Sequence, residues 1–496
     1  MRALLVTSIG VTCAAALTFP LAVPGSAAPV PAPVPAAAAQ APAAPAAEPL
    51  GSTQSLKLQP LAAEEGTRSP GAGSTRSPSF EQGLPRRDAH RFSLVGVIWD
   101  DPDAELHGTV QVRTRATGTG TWSGWQDIET HNTDHGADAG SAERASGKVR
   151  GSTAPLWVGD SDGVEVRVRS GDPEDRTGQA APLPEGLRLE LVDPGDDPQQ
   201  PPDTEAPATP DTEAPATPDT EAPATPDTDA PATTATPAST GAQPGPPPES
   251  AALTVGAVES WAVNADLAPY GSAEIAPLSK AETEEQAVVA AGAEAYIGPR
   301  PGIVTRKGWG ADESLRERTF AYTSTVKAAF VHHSATGNDY TCAEAPSVLR
   351  SIYRYHVKSS GWRDFGYNFA IDKCGKIYEG RAGGVTKAVL GAHTLGFNSN
   401  TMGIAVLGTF TSKNPPAAAV EAVAKLTAWK LGLFGRNPKG KVTLVSGGSG
   451  KYAKGAKANL HVISGHRDGF ATECPGERLY KKLGTVRTTA ARLQGR

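Results

Sequence analysis

Residues 326–333 read V-K-A-A-F-V-H-H. The apolar run predicts a buried strand that ends on paired histidines. Successive side chains on a strand point to opposite faces, so His332 and His333 must divide their labour, and alternation alone does not say which faces what. Outward from this strand, residues 343–358 carry Val348, Leu349, Ile352 and Tyr355 at helical spacing. Residues 366–371 and 402–407 read as strands, and 416–433 as a second helix with Val420, Val423, Ala424, Leu426 and Leu431 on its apolar side. A Gly/Lys-rich loop over 438–457 follows, then I-S-G-H-R-D at 463–468 and C-P-G at 474–476. Strands mixed with helices of this length predict an α/β domain over residues 301–496, a mixed central sheet flanked by helices.

That segment holds 29 Lys+Arg against 12 Asp+Glu, although the whole chain is −6. The excess predicts an anionic partner. No aromatic-basic nucleic-acid motif accompanies it, so nucleic acid is not expected; an exported domain of this charge suits a bacterial cell wall and its anionic polymers.

The rest of the 496-residue chain changes character several times. Met1-Arg2, the apolar run from Ala3 to Val23 and the small residues Gly25-Ser26-Ala27-Ala28 predict a secretory signal peptide over 1–28. Nothing later approaches the ~20 apolar residues of a membrane helix, so the expected mature protein is secreted or cell wall-associated, without stable membrane insertion, and monomeric. Residues 29–87, rich in Ala and Pro, read as a disordered leader. Over 88–195, runs such as V-Q-V-R-T-R (110–115) and V-E-V-R-V-R (164–169) alternate with period two, which predicts a small all-β, sandwich-like domain. Its Trp99, Trp122, Trp125 and Trp157 are candidates to stack on sugars or to fill the core. Residues 196–300, with D-T-E-A-P-A-T-P repeating from Asp203 through Pro226, read as an extended, self-repelling acidic linker. A weakly helical stretch at 279–294 interrupts it.

Cys13 leaves with the signal, so Cys342, Cys374 and Cys474 remain. In an oxidising compartment two pair and one needs another explanation, such as a metal. One histidine of the 332/333 pair, His466 and Cys474 are three soft-metal ligands, and a catalytic zinc keeps three protein ligands plus a water. No C-x-x-C or H-E-x-x-H is present, and structural histidines with a buried free thiol are the competing reading. His356, on the helical face of Val348 and Ile352, is expected to pack. His461, just before the strand at Ile463, has no assigned role.

Seven stretches occur in order: W-G-A-D-E-S (309–314), V-H-H-S-A-T (331–336), G-Y-N-F (366–369), Y-E-G-R (378–381), G-A-H-T-L-G-F-N-S (391–399), G-H-R-D (465–468) and T-E-C-P-G (472–476). Together they resemble the N-acetylmuramoyl-L-alanine amidase / peptidoglycan recognition protein family, from about residue 302 to 485. The resemblance implies a Zn²⁺ held by His332, His466 and Cys474, with His333 on the opposite face. It implies hydrolysis of the amide between N-acetylmuramic acid and L-alanine of peptidoglycan, with Tyr367 and Thr472 beside the metal water and His393, Arg381 and Asn398 in the substrate groove. Members lacking the cysteine bind peptidoglycan without cleaving it, so the alternative is a non-catalytic recognition protein. With Cys474 on the metal, Cys342 and Cys374 are left to form a disulfide.

Overall fold

Period-two alternation builds the N-terminal domain. Its strands are β1 (Ser52–Lys57), β2 (Gln59–Pro60), β3 (Glu81–Trp99), β4 (Gly108–Ala116), β5 (Gln126–Ile128), β6 (Gly151–Ser152), β7 (Leu156–Ser170) and β8 (Arg188–Asp193). They form one hydrogen-bonded sheet in the order β1-β8-β3-β7-β4-β5, with β2 and β6 also on β3. The computed structural model describes residues 51–61, 81–171, 182–197, 255–291 and 296–496. The expected signal peptide (1–28) and the eight-residue repeats (203–226) lie outside the described residues.

In β4 and β7 the valines at 110, 112, 164, 166 and 168 are buried and join Phe92, Val95, Val97, Trp99, Leu189 and Leu191 in one core. Register shifts between Leu84 and Leu94 interrupt the β3–β7 ladder, and such irregularities bend a strand, which lets a single sheet enclose that core. Two expected boundaries are corrected. The leader 29–87 contains β1, paired with β8 from Ser52↔Asp193 to Lys57↔Arg188, and β3 starts at Glu81 rather than after residue 87. β1 is an edge strand held by backbone ladder bonds, and S-T-Q-S-L-K offers no apolar period to reveal it. Nor do all four tryptophans share one role. Trp99 and Trp157 are core residues, whereas Arg86 lies 4.8 Å over Trp122 and Arg167 lies 4.1 Å over Trp125, so guanidinium groups cover the two rings.

The C-terminal domain has a seven-stranded mixed sheet: β9 (Glu274–Ile275), β10 (Ile303–Val304), β11 (Ala328–His333), β12 (Phe369–Ile371), β13 (Ile377–Glu379), β14 (Thr401–Val406) and β17 (Ile463–Gly465). Their order is β17-β11-β14-β12-β13-β10-β9. Strand β11 is an interior strand, parallel to both its neighbours β14 and β17, and every one of its residues is buried. Helices α3 (Ala345–Arg354), α4 (Ala417–Gly432) and α7 (Leu483–Gln494) cover the sheet, α5 (His466–Gly469) and α6 (Glu477–Tyr480) are single turns, and β15 (Lys441–Val445) pairs with β16 (Lys457–His461) in a separate hairpin. The linker boundary also moves. Residues expected in the spacer form α1 (Val255–Ala262), β9 and α2 (Lys280–Ala291). They dock through polar contacts: Ser260 donates to Glu313 (2.7 Å), Asn264 to Glu379 (2.9 Å) and Arg316 to the Gly256 carbonyl (2.8 Å). Such anchoring leaves no hydrophobic period in the sequence.

The two domains share a core. Leu94, Ile98, Trp157 and Val192 of the β-domain pack with Val348, Leu349, Ile352 and Tyr355 of α3 and the turn after it. The Tyr355 hydroxyl donates to the Thr153 carbonyl at 3.1 Å, and a Cβ at Gly96 would lie 2.4 Å from that hydroxyl, so only glycine fits there. Cys342 and Cys374 form a disulfide across 32 positions. Closing a loop of that length contributes about 3–4 kcal/mol in the chain-entropy description. Among the described residues no helix is long and apolar enough to cross a membrane.

Candidate metal centre

Three elements converge on one buried point. β11 carries His332 at its last position but one, α5 begins with His466 directly after β17, and the T-E-C-P-G loop brings Cys474. His332 and His466 are fully buried and Cys474 is nearly so. The Cys474 Sγ lies 3.8 Å from His332 Nδ1, and the two imidazole centroids are 4.4 Å apart. His333 turns the other way, as alternation requires, and its Nδ1 accepts from the Phe410 N–H at 3.4 Å.

A fourth group joins them that sequence reasoning missed. His135, from the loop between β5 and β6, brings its Nε2 to 3.9 Å from Cys474 Sγ and its ring to 4.5 Å from that of His466. The ligand atoms of His135, His332, His466 and Cys474 all lie within 4.8 Å of one another. Its neighbour Asp134 contacts both histidines, with Oδ1 3.0 Å from His135 Nδ1 and Oδ2 3.6 Å from His466 Nδ1. The available signal was the density of ligand-type residues in E-T-H-N-T-D-H-G-A-D (129–138), obscured because such residues also make turns.

The donor set suits a soft divalent metal. Both ring nitrogens of His466 are buried without a hydrogen-bond partner, a costly arrangement unless something else engages them. Burial, then His466 and the other histidines, pushes the His332 pKa well down, and burial lowers His466 to about 3. Both are therefore neutral donors at ordinary pH. Burial, then the Asp134 charge, pushes the Cys474 thiol well above its usual range, so a thiolate there needs a cation beside it. Zinc–nitrogen and zinc–sulfur bonds of about 2.0–2.3 Å are compatible with donors grouped this closely.

The remaining expected residues are nearby but differ in availability. Tyr367 is buried, its ring 5.2 Å from that of His332. Burial, then Cys474 and Asp134, pushes its pKa well up, so it remains a phenol. The Thr472 hydroxyl accepts from the Cys474 N–H at 3.2 Å. His393 is fully buried and its Nε2 has no partner. Arg381 and Asn398 are not open groove residues in this conformation. Arg381 makes a two-pronged ion pair with Glu143, both contacts at 2.9 Å, and Asn398 donates to the Gly136 carbonyl (2.8 Å) and to Asp138 (2.7 Å). His356 stacks on Trp362 at 4.3 Å and accepts from the Gly366 N–H, the packing role expected of it. His461 is outside the cluster. A small cleft opens beside the centre, lined by Glu129, His131, Tyr367, Thr472 and Cys474 among others.

Comparison with known proteins bears on both domains. The N-acetylmuramoyl-L-alanine amidase family profile matches residues 322–477, and the Rv3811 N-terminal galactose-binding domain-like profile matches residues 35–232. Peptidoglycan-recognition protein SC2 of Drosophila simulans is 30% identical over 183 residues, 37% of this chain and 85% of that protein. The N-acetylmuramoyl-L-alanine amidase of Homo sapiens is 33% identical over 215 residues, 41% of this chain and 32% of that protein. A solved structure of peptidoglycan recognition protein-LE in complex with tracheal cytotoxin is 28% identical, covering 37% of this chain and 92% of that one, with a TM-score of 0.30.

Proposed function

This chain belongs to the peptidoglycan recognition protein / N-acetylmuramoyl-L-alanine amidase family, and from that premise we propose that it is an exported zinc amidase. In this reading it hydrolyses the amide joining the lactyl group of N-acetylmuramic acid to the L-alanine of the stem peptide. The observation that carries the reading is Cys474, buried against His332 and His466. His332, His466 and Cys474 would hold Zn²⁺, which would supply Lewis acidity to the scissile carbonyl and the attacking water.

The chain's own groups do the rest. Tyr367, kept protonated by its buried setting with its ring 5.2 Å from that of His332, donates in this reading a hydrogen bond to the oxyanion that develops as the carbonyl is attacked. Thr472 is no general base, because an unassisted hydroxyl does not titrate near neutrality; its bond to the Cys474 N–H makes it a positioning residue for the cysteine loop. His393, with its free Nε2, is the groove residue left to bind substrate. Water adds across the amide, the C–N bond breaks, and the products are a lactyl carboxylate and a free alanine amine. The apolar Ala3–Val23 segment, the Cys342–Cys374 disulfide and the basic C-terminal domain support action outside the membrane on an anionic wall.

Digestion of purified peptidoglycan tests this directly. Mass spectrometry should find free stem peptides beginning in L-alanine, lost with a chelator and restored by zinc; release unaffected by chelation would refute the zinc mechanism. Tyr367→Phe should lower turnover by about 10²–10³-fold, the cost of one oxyanion donor, with substrate binding little changed. Equal kcat in the variant would remove Tyr367 from the chemistry. One observation favours a binding protein without turnover: the described cluster offers four donors, the number typical of a structural zinc site.

A further inference from the structure

The loop that carries His135 does more than approach the metal centre. Residues 132–143 lie against the face where substrate is expected, and almost every anchor is a residue or loop of that face. The Asp134 carbonyl accepts from the Leu395 N–H (2.9 Å). Asp138 accepts from the Gly396 N–H and from Asn398, both at 2.7 Å. Glu143 takes both terminal nitrogens of Arg381 and also accepts from the Arg363 N–H at 3.0 Å. The Asp138 and Glu143 carboxylates thus present negative charge to a basic domain at the positions an anionic ligand would use.

His135 itself is oriented. Its Nδ1 meets Asp134 Oδ1 at 3.0 Å, which leaves Nε2 toward Cys474. A carboxylate behind a histidine is the usual way of fixing the ring and tautomer of a metal ligand. Its side chain is only 7% exposed. A catalytic zinc needs an open coordination position, whereas four protein donors close it.

We infer that residues 129–146 form a built-in plug, with His135 as the fourth metal ligand and Glu143 occupying Arg381, and that the chain with its β-domain in place is held latent until this segment is displaced. The inference rests on the amidase reading for what is held back, but not for the ligation itself. Its occupant is the chain's own segment, and its displacer is a competing anion on the substrate side that draws Arg381 from Glu143.

Cobalt substitution of the full chain separates the possibilities. Wild-type protein should show a closed, four-coordinate Co²⁺ absorption spectrum that added azide does not change; His135→Ala should show a changed spectrum that azide perturbs. Identical spectra in the two proteins would overturn the inference. Hydrogen exchange gives a second reading free of activity: zinc should slow amide exchange across residues 129–146 in wild type and much less in His135→Ala. Equal protection in both would also overturn it. A plug open less than about a tenth of the time limits the competent fraction accordingly, so His135→Ala should release stem peptides about tenfold faster or more. Glu143→Gln, which keeps every metal-ligating atom, should raise release as well; release as fast from wild type as from both variants would refute latency. Spectra that differ while no protein releases peptide would refute the amidase reading and leave His135 as a ligand.

Discussion

Replacing Cys474 by alanine should abolish both zinc retention and peptide release. The thiolate is the only anionic donor of the cluster, and it lies against His332 and His135. Without it the remaining donors are imidazoles, and burial disfavours the cationic forms of His332 and His466. Turnover should fall by about 10⁴-fold or more, the scale seen when an essential member of a catalytic unit is removed. Metal analysis after dialysis should find well below one zinc per chain. Cys474 is outside the disulfide, so the fold should survive with a loss of about 1 kcal/mol. A variant that keeps stoichiometric zinc and hydrolyses normally would exclude Cys474 from the centre.

The second large effect concerns stability. Arg306 is almost completely buried, pairs with Glu313 at 2.7 Å and Asp364 at 3.0 Å, donates to the Gly380 carbonyl, and lies 4.8 Å over the Tyr353 ring. Glu313 in turn holds Arg316 and Ser260, and so ties α1 to the domain. Arg306→Met should destabilise by about 3–5 kcal/mol, because it leaves buried carboxylates without their partner; denaturant unfolding measures it. Burial pushes the Glu313 carboxyl up, but Arg306, with Arg316 behind it, outweighs that and holds it below the ordinary 4.5. Its contribution is therefore present above the unfolded value of about 4.5 and is lost as pH falls through the lower folded value. The penalty of the substitution should shrink in acid. An unchanged penalty between neutral and acid pH would mean that the loss is packing rather than charge.

Both sites were read from the sequence with different success. Strand β11, its two histidines and their opposite faces followed from an apolar run and a period of two. Arg306 was not singled out, because an arginine three residues before W-G-A-D-E-S has no local mark of burial; Tyr353, Asp364, Glu379 and Gly380, from distant segments, make it a hub. The same contrast runs through the boundaries. β3, β4 and β7 carry alternating valines and were legible, whereas β1 and α1 are held by ladder bonds and polar anchors contributed by segments more than 50 positions away.

By itself the sequence determined the types of the strongly periodic elements, the ordered motifs and, through them, the three ligand candidates His332, His466 and Cys474. Element types rest on local period and the motifs on short fixed stretches, whereas the choice of His332 with His466 and Cys474 is what the resemblance of those motifs implies. Only the tertiary structure decided that His135 completes the cluster and that Glu143 already occupies Arg381. His135 and Cys474 are 339 positions apart, and no periodicity links them. They meet because the β-domain and α3 share one apolar core, with Gly96 leaving room for Tyr355, and that packing carries the 129–146 loop onto the face where His332, His466 and Cys474 cluster.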